Sequence, residues 1–188
     1  LRHCGVSQCV LVEIDALVVS ASRKYIPRTA KALSDPRAKV LIEDGVKYVA
    51  QTKERFDVVI VDSTEPFGPA KALFGPLFYK NVRRILTKDG IVASQAGSPF
   101  YEIKTITGLF KIMRPIFPIV EACLFTNLTY PGGLWAFTVA AKTLHPTRDF
   151  RPERVKKSKI PLRWYNADVH VGAFALPNFL KKELSRAR

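Results

Sequence analysis

Six short apolar stretches alternate with segments of helical spacing: CVLVEI (9–14), AKVLI (38–42), FDVVIV (56–61), IVASQ (91–95), 119–126 and LWAFTVAA (134–141). This alternation constrains the fold more than any other feature. A strand, a crossover helix and a second strand return right-handed into one parallel sheet. Most of the runs are apolar throughout, which predicts strands covered by helices on both faces. Helices are expected at 16–33, 46–52, about 74–86, 102–113 and near 174–186. The polar, basic segment 142–161 reads as a surface connection. Pro131-Gly132-Gly133 separates the last two runs and predicts an antiparallel hairpin. The expected architecture is therefore α/β: a mostly parallel sheet with an antiparallel C-terminal hairpin, helices on both faces, and one domain over 1–188.

In such sheets ligands bind outside the carboxyl ends of the strands. Glu13 and Asp15 stand at the end of the first run, Glu43 and Asp44 at the second, Asp62 and Glu65 at the third, and Gln95 at the fourth. One acid at a strand end is usually a helix cap. Three consecutive strands with acids at their ends make a candidate site. A carboxylate after the first strand can accept hydrogen bonds from ribose hydroxyls, and one after the second can accept from an adenine amino group. Asp62 and Glu65 then remain, on a loop stiffened by Pro66 and Pro69, as befits a preorganised site. Carboxylates of this kind suit a cationic substrate or a proton to be removed. The local alternatives stay open: Asp62 and Asp44 as turn or cap residues, Glu13 as a surface acid, Tyr130 as hairpin packing, and Trp135 and Trp164 as core or pocket wall.

Composition narrows the partners. No apolar run reaches the length of a membrane span, and no signal peptide is evident, so a cytoplasmic protein is expected. The cysteines, Cys4, Cys9 and Cys123, are odd in number and lack C-x-x-C spacing, which fits a reducing compartment and no structural zinc. His3, His145 and His170 are scattered, so no metal site is expected, and His170 reads as a satisfied structural histidine. The formal charge of +14 is unevenly spread: ten bases stand against nine acids in 1–65, but twelve against four in 142–188. Aromatics are not regularly interleaved among those bases, so a solvated surface is expected there and nucleic acid is not the expected partner.

The loop Asp62-Ser63-Thr64-Glu65-Pro66-Phe67-Gly68-Pro69-Ala70, with Leu73-Phe74 and Phe78-Tyr79 after it, resembles the signature of the spermidine synthases. These polyamine aminopropyltransferases have a methyltransferase-like Rossmann fold. Further matches follow in chain order: Leu11-Val12-Glu13-Ile14-Asp15, Asp35-Pro36-Arg37 with Glu43-Asp44-Gly45, Ser94-Gln95 with Ser98-Pro99, Thr129-Tyr130-Pro131-Gly132-Gly133-Leu134-Trp135, and Tyr165-Asn166 with His170 and 173–177. The family's Gly-rich donor loop and its N-terminal β-rich domain have no counterpart in the sequence. The text opens in mid-element without Met, so the expectation is a chain truncated at its N-terminus that catalyses poorly alone and tends to associate.

The resemblance implies transfer of an aminopropyl group from decarboxylated S-adenosylmethionine, a co-substrate, to putrescine, with no further cofactor and no metal. It implies Asp62 as the catalytic base. Glu13, Ile14, Asp44, Gly45, Pro69 and Ala70 would bind the donor, and Glu65, Gln95 and Tyr130 the acceptor. Many members have Asp where Glu65 stands, which bears on acceptor length. A homo-oligomer, dimer or tetramer, is implied for the full-length protein. Two rival readings are an S-adenosylmethionine-dependent methyltransferase and a non-catalytic basic binding fragment.

Overall fold

The computed structural model describes Leu1, His3, 5–64 and 68–187. Strands β1 (Cys9–Glu13) and β2 (Ala38–Ile42) pair in parallel, with Cys9 opposite Ala38 and Glu13 opposite Ile42. Strands β3 (Phe56–Val61), β4 (Leu86–Gly97), β5 (Ile119–Thr126) and β6 (Leu134–Ala141) form a second sheet in the order β3-β4-β6-β5. β3 and β4 are parallel, and β6 is antiparallel to both β4 and β5. Three of those four strands therefore run the same way, and the 5–6 pair is the expected hairpin. Among the described residues the six strands are hydrogen-bonded in two groups, not one continuous sheet.

The helices are α1 (Ala16–Tyr25), α2 (Pro27–Ala30), α3 (Gly45–Gln51), α4 (Pro76–Ile85), α5 (Ile103–Met113), α6 (Pro152–Lys157), α7 (Ala167–Ala173) and α8 (Asn178–Arg186). Short 3-10 segments occupy Lys31–Ser34 and Gly68–Phe74. The single helix expected over 16–33 is broken at Pro27, which lacks an N–H and starts a new turn after Ile26 leaves helical geometry. The last helix, expected near 174–186, starts only at Asn178 after the non-helical Phe174 to Pro177, and α7 before it is not among the expected helices. Segment 142–161 contains α6. β4 starts five residues earlier than expected, because Leu86 already pairs with Phe56 and a register shift absorbs the residues before Ile91. Gly90 is needed at that shift: a Cβ there would stand 2.9 Å from the Leu86 side chain and 3.0 Å from the Phe56 carbonyl.

The core lies against the four-stranded sheet. α4 contributes Phe78, Tyr79, Val82 and Ile85, and α5 contributes Ile106, Leu109, Phe110 and Met113, each set at helical spacing. Val92 and Ala96 of β4 and Leu180 and Leu184 of α8 complete it. Full burial of one such large side chain is worth about 1.5–3 kcal/mol. The β1–β2 side contributes far less: in α1, α2 and α3 only Val19, Ala30 and Val49 are buried. β3 departs from the both-faces-covered expectation. Val59 and Val61 face the core, but Val58 and Ile60 on the other face are 58% and 70% exposed.

Candidate active site

The strand ends deliver their polar residues in two groups. On the first sheet, the Glu43 N–H donates to the Glu13 carbonyl at 3.0 Å, so the chain leaving β2 stays beside the end of β1. The Glu13 carboxylate accepts from the Asp15 N–H at 2.9 Å. Asp15 caps α1, its Oδ1 accepting from the Leu17 N–H at 2.8 Å. Asp44 caps α3 in the same way, accepting from the Val46 N–H at 2.8 Å. Both caps satisfy backbone donors that a helix start leaves open. Gly45 opens α3, and a Cβ there would meet nothing within 4 Å, so the space beside it is free. Ile14 is 62% exposed.

On the second sheet, Val61 pairs with Ser94, which sets Asp62 level with Gln95. Asp62 is exposed, and no described residue hydrogen-bonds its carboxylate. Gln95 is half-buried in β4, opposite Phe137 of β6. Tyr130 lies in the turn between β5 and β6, half-exposed, with its ring centroid 4.6 Å from that of Trp135. That turn is closed by the Asn127 N–H on the Gly133 carbonyl at 2.7 Å. Trp135 is buried, and its indole N–H has no partner among the described residues. Pro69 and Ala70 lie in the 3-10 segment after the Asp62 loop, and α3 packs on α4 and touches that segment, linking the two groups. Glu65 lies outside the described residues.

Two cavities lie elsewhere. One of about 280 Å³ is lined by Arg114, Glu121, His145 and Arg148 near the start of β5, and one of about 290 Å³ by Val19, Arg23 and Val40 under α1. Neither is lined by a sequence-predicted site residue. Among the described residues no group of three His, Cys, Asp or Glu side chains is placed to hold a metal ion.

Several other polar residues are structural. Asp35 is held at about 2 by its hydrogen bonds with Arg37, whose guanidinium also donates to the Leu1 and Val6 carbonyls. Tyr79 is buried, its hydroxyl donating to Ser94 Oγ at 3.0 Å, and burial pushes its pKa up to about 12. His170 is stacked on Phe150 with ring centroids 3.9 Å apart. Its Nε2 donates to the Pro146 carbonyl at 2.7 Å, which leaves Nδ1 to accept from the Tyr165 hydroxyl at 2.9 Å. Trp164, expected in the core or a pocket wall, is largely exposed.

Sequence reasoning missed Glu102. Its carboxylate accepts from the Ser98 N–H at 2.8 Å, at the end of β4. The spacing S-x-x-x-E was the available signal, one residue longer than the S-x-x-E of a capping box.

Parallel strands with carboxylates at their ends, crossover helices and a closing antiparallel hairpin define a Rossmann-like α/β protein of the methyltransferase type. Residues 1–151 match the spermine/spermidine synthase domain. The chain is 42% identical over 185 residues to a polyamine aminopropyltransferase of Thermotoga neapolitana, covering 98% of this chain and 62% of that protein. It is 46% identical over 184 residues to one of a Thermoanaerobacter species, covering 96% and 64%. A crystal structure of spermidine synthase in complex with the transition state analogue AdoDATO superposes with a TM-score of 0.95 at 41% identity, over 98% of this chain and 64% of that one. Spermidine synthase from Thermotoga maritima gives 0.92 at 40% identity, over 98% and 62%. The chain belongs to the spermine/spermidine synthase family. It spans less than two thirds of the length of these relatives.

Proposed function

We propose that the protein transfers an aminopropyl group from decarboxylated S-adenosylmethionine to putrescine, giving spermidine and methylthioadenosine. The observation that carries this reading is the set of carboxylates at the ends of β1, β2 and β3, in a chain 42–46% identical to polyamine aminopropyltransferases. The acceptor is a diamine, and an alkylammonium has a pKa near ~10.4, so it must lose a proton before it can attack. Asp62 takes that proton. The free amine displaces sulfur at the propyl carbon: the C–N bond forms, the C–S bond breaks, and its electron pair leaves with methylthioadenosine as a neutral thioether. Glu65 holds the distal ammonium, and Gln95 and Tyr130 aim the amine.

Glu13 binds the ribose, with Ile14 beside it. Asp44 and Gly45 bind the adenine edge, and Pro69 and Ala70 pack near it. Decarboxylated S-adenosylmethionine is consumed as a co-substrate, and no cofactor or metal takes part. The reading extends to one catalytic domain over 1–188, a cytoplasmic site of action, and a homodimer or homotetramer of the full-length protein. No helix among the described residues is long and apolar enough to cross a membrane. The test is mass-spectrometric analysis after incubation with decarboxylated S-adenosylmethionine and putrescine. Spermidine and methylthioadenosine in equal amounts support the reading. A methylated product from ordinary S-adenosylmethionine, with no spermidine from the decarboxylated donor, would overturn it.

A further inference from the structure

β4 ends in a short loop that is tied back on itself. Gly97 has φ +83, and the space its Cβ would occupy is filled by the Glu102 carboxylate. Glu102 Oε2 accepts from the Ser98 N–H at 2.8 Å, and the Glu102 N–H donates to the Ser98 carbonyl at 2.7 Å. Ser98 is buried, so its N–H depends on that carboxylate for a partner. The next residue back, Tyr101, reaches across to the other loop of the acceptor side. Its ring lies 2.7 Å from where a Gly132 Cβ would stand, and Gly132, at φ +79, belongs to the turn that carries Tyr130. Phe100 anchors the outside of the same loop by stacking on Phe179 of α8, ring centroids 5.4 Å apart.

We propose that Glu102 and Tyr101 are positioning residues for the acceptor: Glu102 locks the end of β4 just beyond Gln95, and Tyr101 carries that lock to the Tyr130 turn. The inference rests on the acceptor-side reading of Gln95 and Tyr130 given above. The reciprocal hydrogen bonds fix where residue 101 emerges, and the glycine at 132 leaves room for the edge of its ring to meet the turn. Neither side chain needs to touch substrate. A loop displaced by an ångström at a site that aims a nucleophile is enough to misplace it.

The test compares Glu102→Ala, Glu102→Gln and Tyr101→Ala with the wild-type protein. Loss of either tie should raise KM for the amine about tenfold or more, as a misplaced acceptor pocket would. KM for the decarboxylated donor should stay within about twofold, since its contacts lie on other strands. Glu102→Gln keeps an oxygen that can accept from the Ser98 N–H, and should restore the acceptor KM. Hydrogen exchange at the Asn127 and Leu134 amides, which close the Tyr130 turn, should quicken in the two Ala variants. An unchanged acceptor KM, or equal rises in both KM values, would overturn the proposal. So would a Glu102→Gln variant as impaired as Glu102→Ala, since the carboxylate charge would then act directly. If the wild type transfers no aminopropyl group, the functional reading fails separately. The exchange measurement then decides the clasp alone: faster exchange supports it and unchanged exchange overturns it.

Discussion

Asp15 after β1 and Asp44 after β2 are already employed, whereas Asp62 at the end of β3 has no such work among the described residues. Asp15 and Asp44 each cap a helix, and Glu13 accepts from the Asp15 backbone. Asp62 stands at the end of a strand whose inner face belongs to the main core, exposed and without a hydrogen bond from any described residue. The difference follows from the chain after each strand. Helices start directly after Asp15 and Asp44, and their open N–H groups claim the nearest carboxylate. After Asp62, residues 63 and 64 are irregular, and among the described residues no helix start competes for the carboxylate. A capping acid contributes to folding and offers its remaining lone pairs to a ligand. An acid without such work is free for chemistry. The same contrast holds for packing: the four-stranded side holds the large buried side chains, and the β1–β2 side buries few.

The largest expected effect lies on the unemployed acid. Asp62→Asn should lower turnover by roughly 10²–10⁴, the range for loss of a general base, with little change in thermal stability or donor affinity. Steady-state kinetics beside a melting curve separate these, and near-normal turnover would remove Asp62 from the mechanism. Next comes its neighbour on the same loop. Glu65→Gln should raise KM for putrescine more than it lowers kcat, and Glu65→Asp should change the preference among diamines of different length. Identical length profiles would mean that Glu65 does not face the acceptor.

The employed acids should behave differently. Asp44→Ala and Asp15→Ala should each cost about 1 kcal/mol of stability through the lost cap, read by denaturant unfolding. Only Asp44→Ala should also weaken binding of methylthioadenosine, measured by calorimetry. If both variants bind it equally, Asp44 is a cap and nothing more. The smallest effect concerns Asp35. Its folded pKa of about 2 lies below the ordinary 3.8, so the contribution of its pairing with Arg37 is complete above 3.8 and lost as pH falls through about 2. The Cys9 N–H, which donates to the Arg37 carbonyl at 2.8 Å, should shift in an NMR titration across that window and not above it.

Much of this arrangement is legible in the residues. Apolar runs locate all six strands, the first three of them ending in acids, and Asp before a helical run foretells the caps at Asp15 and Asp44. The break at Pro27 was readable from the proline itself, but the helical spacing of 16–33 outweighed it. The division of the strands into two groups is set by which edges pair, and local pattern does not reveal pairing partners. The Glu102 clasp depends on a positive φ at Gly97 and on a contact between Tyr101 and Gly132, thirty-one positions apart in the chain. The Tyr79–Ser94 hydrogen bond joins a helix to a strand in the same long-range way.

The central claim is that this acidic rim selects a donor without a carboxylate. Calorimetric titration of the wild-type protein with decarboxylated and with ordinary S-adenosylmethionine compares two ligands that differ only in that group. The account predicts tighter binding of the decarboxylated form, because a donor carboxylate would face the repulsion of the strand-end acids at close range. Equal or tighter binding of ordinary S-adenosylmethionine would contradict it.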